Sequence, residues 1–236
     1  MKRAIGVVAL ALAILGCHHA KKPHAHYSAR LDDGVLRVVV IGDSLAFGAG
    51  DETGGGIPGR LPNELRAHHS GTIDVQNLGA NGATTEDVQA RLREQSVRDG
   101  VYIADVIVLS VGANDAFQTT DLRAQAIAHR EEFAKEILQK VAAVVSELRA
   151  INPDAEILIL GGYNPFPENP LSSGINSYMK KWDSLLDDKF AADPYVDVVK
   201  LSDILDGPDK LSSIDHFHPS GASYAAIAKR IAEMMQ

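Results

Sequence analysis

Cysteine is nearly missing from this 236-residue sequence, where Cys17 stands alone. No intrachain disulfide and no cysteine-built zinc cluster can therefore form. Positive charge is also in short supply, with 23 Lys and Arg against 31 Asp and Glu and a formal net charge of −8. A chain of that sign repels phosphate backbones and anionic lipid surfaces, which argues against nucleic acid as a partner. No apolar run reaches the ~20 residues that a helix needs to cross hydrocarbon. The longest, residues 4–16, directly follows Lys2 and Arg3. What is present is an ordinary globular composition, 45% hydrophobic, in a chain long enough for one domain with a sizeable core.

A short apolar stretch behind two basic residues reads as the central part of an export signal. It ends in Ile14-Leu15-Gly16-Cys17, which resembles a bacterial lipobox. That resemblance implies cleavage before Cys17, diacylglycerol on its thiol and an exported protein anchored to a membrane of the cell envelope. A plain secretory cleavage with an incidental cysteine, giving a secreted or periplasmic protein, is the alternative. His18 occupies the position where an Asp marks inner-membrane retention in some Gram-negative bacteria, so an outer-membrane address stays open. The next residues include His18, His19, Lys21, Lys22, Pro23, His24 and His26 without apolar periodicity, and read as a polar tether. No acidic or cysteine residue among them fixes a metal geometry, so no metal or other cofactor is expected. The expected organisation is a signal peptide over 1–16, a tether over 17–33 and one domain over 34–236.

Beyond the tether, short apolar runs alternate with longer amphipathic ones, the pattern of βαβ units stacked into a parallel sheet. Leu36–Ile41, Ile73–Leu78, Val106–Val111, Glu156–Leu160 and Val196–Leu201 are rich in Val, Ile and Leu, as strands buried on both faces should be. Helices are expected over Thr85–Val97, over Asp121–Ala150 with a stripe of Phe133, Ile137, Val141, Val144, Val145 and Leu148, and from an N-cap at Ser220 onward. The predicted fold is a three-layer α/β/α sandwich on five parallel strands. Such sheets bind ligands at the carboxyl ends of their strands.

Four polar clusters fall near those ends or just before the last helix. Gly42-Asp43-Ser44-Leu45 puts a serine hydroxyl on a small turn, and Ala46 in place of a second glycine disfavours the Gly-x-Ser-x-Gly elbow of α/β-hydrolases. Asn77-Leu78-Gly79-Ala80-Asn81-Gly82-Ala83-Thr84 offers glycines whose bare N–H groups can face a ligand. Gly112-Ala113-Asn114-Asp115 brings a carboxamide, and Asp215-His216-Phe217-His218-Pro219-Ser220 a carboxylate with two imidazoles. Asp, His and Ser together provide what acyl transfer requires: an orienting acid, a base and a nucleophile. The three-residue spacing from Asp215 to His218 lets the chain turn back, which favours His218 over His216. Asp43 is read as organising its turn.

In order and spacing the four clusters closely resemble those of the SGNH (GDSL-type) hydrolases, over roughly residues 36–234. Ser44, Gly79, Asn114 and His218 match the four name-giving residues, and Asp215 completes the Asp-x-x-His motif. The resemblance implies a flavodoxin-like sandwich and a serine esterase. In it Ser44 attacks an ester carbonyl, His218 takes its proton, Asp215 orients the imidazole, and Ser44, Gly79 and Asn114 hold the oxyanion. The run Gly162-Tyr163-Asn164-Pro165-Phe166-Pro167 is similar to that of lysophospholipase-like bacterial members, and Tyr163, Phe166, Phe47 and Phe117 are candidates to line a substrate pocket. Lysophospholipids or other lipid acyl esters are the expected substrates. A carbohydrate O-acetyl esterase of the envelope, or a binding module without turnover, are the alternatives.

Overall fold

The computed structural model describes residues 33–118 and 130–236. The expected signal peptide, the tether with Cys17 and the 121–129 part of the long predicted helix lie outside the described residues. The strands are Val35–Gly42 (β1), Thr72–Gly79 (β2), Val106–Ser110 (β3), Glu156–Leu160 (β4) and Val196–Val199 (β5). They form one parallel sheet in the order β2-β1-β3-β4-β5. The helices are Ser44–Phe47 (α1), Gly56–Leu65 (α2), Thr85–Arg91 (α3), Gln95–Ile103 (α4), Ala113–Gln118 (α5), Arg130–Ile151 (α6), Ser172–Phe190 (α7) and Gly221–Met234 (α8).

Alternation along the strands divides the core in two, because successive side chains point to opposite faces. Val39 and Ile41 of β1 join Ile107, Leu109, Ile157 and Ile159 under α3, α4, α6 and α7. Leu36, Val38 and Val40 join Val106, Val108, Leu158 and Leu160 under α2 and α8, where Ile57, Leu61, Tyr224 and Ile227 are fully buried. The three-layer α/β/α sandwich read from the sequence is the fold observed. β2 departs from the expectation of strands covered on both faces: at the sheet edge, Thr72, Asp74 and Gln76 are exposed while Ile73 and Val75 are half-buried.

Three elements differ from the sequence expectation. The single helix foreseen over 85–97 is split into α3 and α4. Val88 and Leu92 are four residues apart but Val97 follows after five, which would put it on the outer face of an unbroken helix. The break at Leu92–Glu94 returns Val97 and Val101 to the core. α2 has Pro58 and Pro62 and opens among glycines, yet it buries Ile57, Leu61 and Leu65 at spacing four. α7 was not foreseen; it buries only Asp183 and Leu186 and is otherwise polar.

Connections leave β1 toward β2 on one side and return to β3 on the other. The strand order therefore reverses between β1 and β3, and the crevice beyond their carboxyl ends is where such sheets take ligands. Ser44 follows β1 and Asn114 follows β3.

Candidate active site

The turn carrying Ser44 is held by the neighbouring strand. Gly42 has φ +134°, and a Cβ there would fall 1.8 Å from the Ser110 carbonyl oxygen. Only glycine allows the Asp43 N–H to donate to that oxygen at 2.9 Å. Asp43 then caps α1, its Oδ1 accepting the Leu45 N–H at 3.0 Å and the Ser110 hydroxyl at 2.7 Å. Burial pushes the Asp43 carboxyl up to about 6, against the opposing pull of Ser110 and the Leu45 and Ala46 N–H groups. Ser44 is the first residue of this one-turn helix. Its N–H is one of the first-turn amides without an intrahelical partner.

Asp215 and His218 share one loop ahead of α8. Asp215 Oδ1 accepts the Phe217 and His218 N–H groups, each at 2.9 Å, and Oδ2 lies 2.7 Å from His218 Nδ1. The chain turns back at His216, whose φ of +53° is in the left-handed region. His218 Nε2 then stands 2.8 Å from Ser44 Oγ, and the exposed His216 faces neither group. With its proton on Nδ1, the imidazole donates to Asp215 and accepts from the Ser44 hydroxyl. Partial burial raises the Asp215 carboxyl, but the His218 side chain and the two N–H donors outweigh it and hold the group below its ordinary value. Ser44, His218 and Asp215 thus make a continuous hydrogen-bonded path.

Gly79 is not placed as foreseen. Its N–H points away from β1 and donates to Asn77 Oδ1 at 2.9 Å, so it is not free for a substrate oxygen. The glycine is required for packing instead, since a Cβ there would fall 2.2 Å from the Phe47 amide nitrogen. Gly82, three residues on, is exposed with φ +76° and open space around it, and among the described residues nothing accepts its N–H. The turn holding Gly82 is fixed against α5: Asn114 Nδ2 donates to the Ala83 carbonyl at 2.9 Å, and the buried Asp115 accepts from Thr85 N–H at 2.9 Å and Thr85 Oγ1 at 2.6 Å. One amide hydrogen of Asn114 is used in this way and the other is left for a ligand. The run Asn77–Thr84 was legible as a source of bare N–H groups, but spacing alone did not say which glycine offers one. Ser110, the last residue of an otherwise apolar strand, gave no sequence signal.

The aromatic candidates divide. Tyr163 is largely enclosed in the core beside α8, and its hydroxyl donates to the Phe217 carbonyl at 3.1 Å, bracing the histidine loop from below. Burial pushes its hydroxyl well above the usual tyrosine range. Phe166 is 45% exposed and meets Phe217 edge-on at 5.7 Å, and Phe217 in turn meets the His218 ring at 5.0 Å. Phe47, three residues after Ser44, is 47% exposed. The Phe117 side chain lies outside the described residues.

This geometry coincides with a match to the model of the GDSL-like lipase/acylhydrolase family over residues 40–226. YpmR of Bacillus subtilis (strain 168) is 27% identical over 201 residues, covering 82% of this chain and 79% of its own. The spore germination lipase LipC of Bacillus licheniformis is 26% identical over 215 residues, covering 83% of this chain and 94% of its own. Among solved structures, the lipase Lip_vut3 from a goat rumen metagenome superposes with a TM-score of 0.70 at 21% identity, over 84% of this chain and 96% of that one. A family 3 carbohydrate esterase of Clostridium thermocellum gives 0.61 at 19% identity, over 84% and 94%. At such identities these structures share the fold. The family match covers most of the chain: this protein belongs to the GDSL-like lipase/acylhydrolase family and is a serine hydrolase.

Proposed function

We propose that this hydrolase cleaves acyl esters of lipids, with Ser44 as nucleophile, His218 as general base and acid, and Asp215 as the carboxylate that orients and stabilises the imidazolium. The observation that carries the reading is the hydrogen-bonded path from Asp215 through His218 to Ser44, with steps of 2.7 and 2.8 Å. Ser44 Oγ bonds to the acyl carbon as its proton passes to His218 Nε2. The bond from that carbon to the alcohol oxygen then breaks, and His218 returns the proton to the leaving alkoxide. Water repeats both steps on the acyl-enzyme and releases the acid. The oxyanion is held by the Ser44 N–H, the free amide hydrogen of Asn114 and the Gly82 N–H, the last taking the role first expected of Gly79.

Lipid substrates, lysophospholipids among them, are supported by large apolar side chains left exposed on segments at the catalytic end of the sheet. These are Phe47, Phe166, Leu171 at 67% and Ile214 at 66% exposure. The lipobox-like Cys17 adds a lipid anchor that would hold the domain near a membrane, and one relative is named a lipase. A carbohydrate O-acetyl esterase is the second reading. It is favoured by the openness of the dyad, with side chains 19% exposed at His218 and 33% at Asp215, which leaves room for a bulky alcohol.

A fluorophosphonate probe should label the wild-type protein at Ser44, and Ser44→Ala should abolish both labelling and hydrolysis of p-nitrophenyl esters. Equal hydrolysis by Ser44→Ala would remove the nucleophile assignment. An acyl-length series separates the substrates: preference for medium or long chains supports lipids, and preference for acetyl supports sugars.

A further inference from the structure

The segment that follows the nucleophile runs directly beneath the base. Gly50 has φ +82°, and a Cβ there would fall 2.6 Å from His218 Cβ and 3.1 Å from Ser212 Cβ. Two residues on, Glu52 reaches across to the histidine loop. Its Oε2 accepts the Gly221 N–H at 2.8 Å, and its Oε1 lies 3.3 Å from Ser212 Oγ and 3.4 Å from the Ser213 nitrogen. Gly221 opens α8, so the carboxylate also sits at the positive end of a long helix. The Gly221 N–H, foremost, holds the Glu52 carboxyl below its ordinary value.

Ser212 and Gly221 flank the loop that carries Asp215 and His218. That loop is closed upon itself: the Ser212 N–H donates to the His218 carbonyl at 2.8 Å, the His216 N–H to the Ser212 carbonyl at 2.9 Å, and Leu211 bridges Pro219. The dyad is thus built within one unit, and Glu52 joins both flanks of that unit to the nucleophile segment. Asp51 secures the near side of the joint. Its buried carboxylate accepts the Thr53 N–H at 2.9 Å and the Gly56 N–H at 2.6 Å, and pairs with Arg60 of α2.

We infer that Glu52 is a positioning residue that sets the approach of His218 to Ser44 by fixing the base-bearing loop to the nucleophile segment. The inference rests on the reading of Ser44, His218 and Asp215 as the catalytic set. Because the His218–Asp215 contact does not pass through Glu52, losing Glu52 displaces the dyad as a unit and leaves that contact intact.

The test compares Glu52→Ala, Glu52→Gln, Asp215→Asn and Arg230→Ala with wild type on a soluble p-nitrophenyl ester. A shift of about 1 Å at a reacting pair costs up to ~100-fold, so Glu52→Ala should lower kcat by about 10- to 100-fold with KM unchanged. Fluorophosphonate labelling of Ser44 should slow in parallel, and the acid limb of kcat/KM should stay where it is. Glu52→Gln keeps an oxygen for the Gly221 N–H, guards against a misfolded alanine variant and should fall between the two. Asp215→Asn breaks the dyad and should move the acid limb. Arg230→Ala removes the ion pair that joins α8 to Asp203 in the turn after β5, away from the loop, and should lower Tm without changing kcat. Wild-type kcat in Glu52→Ala below its Tm would overturn the inference, as would an acid limb displaced as in Asp215→Asn. If Ser44→Ala remains active, the catalytic reading itself falls and takes this inference with it.

Discussion

Asp43 holds its charge in the most enclosed part of the site. Folded, its carboxyl keeps a proton up to about pH 6, whereas the unfolded group releases it near 3.8. Between those values the folded state binds more protons, so this residue makes stability fall as pH rises from about 4 to about 6 and contributes no further change above. A separation of that size corresponds to roughly 3 kcal/mol at 1.36 kcal/mol per unit. Asp43→Asn keeps an oxygen for Leu45 and Ser110 and carries no charge. Its stability relative to wild type should therefore increase across that window and level off above it, in thermal melts run from pH 4 to 7. A difference that does not vary with pH would show that the Asp43 charge is not strained by burial. The sequence suggested that Asp43 organises its turn, and its hydrogen bonds are of that kind. It could not indicate the desolvation, which comes from the layers closing over a residue that lies beside the nucleophile.

Among the elements, Asn152 shows how a single polar side chain joins three of them. It is wholly buried after α6, donates to the Val101 and Ala104 carbonyls at the end of α4 at 2.8 Å each, and accepts the Ala155 N–H at 3.0 Å just before β4. Asn152→Ala strands buried backbone groups at about 1–3 kcal/mol each, so a Tm fall of several degrees should accompany an unchanged kcat at low temperature. A Tm within a degree of wild type would mean that water replaces the side chain. Elements whose cause is local periodicity were legible: β1, β3, β4 and β5 are runs of branched apolar residues, and α8 starts at the foreseen Ser220, whose hydroxyl accepts the Ser223 N–H. α2 was not, because two prolines and flanking glycines mimic a loop while the burial of Ile57, Leu61 and Leu65 depends on α8 lying opposite. The catalytic groups followed the same division. Ser44, Asn114, Asp215 and His218 stand in short motifs at predicted element ends, whereas Glu52 and Gly82 take their meaning from loops distant in sequence.

For the molecule as a whole, the direction of one strand has a bearing on where the enzyme works. β1 begins at Val35 and delivers the chain to Ser44, so the entry of the domain and its chemistry lie at opposite ends of the sheet, about 23 Å apart at 3.3 Å per residue. With Cys17 as the anchor, as proposed, the catalytic mouth would lie at the end of the domain away from the tether, and reaching an ester in the supporting bilayer would require the domain to turn over. Residues 17–33 can extend at most about 55 Å at ~3.4 Å per residue, enough to permit this. Deleting residues 19–28 should accordingly slow hydrolysis of bilayer-embedded esters by the anchored protein while leaving a soluble p-nitrophenyl ester unaffected, and equal rates on both would argue against turning over. Under the proposed anchor, the tether would act as a leash whose length meters how readily the catalytic mouth reaches the membrane that holds it.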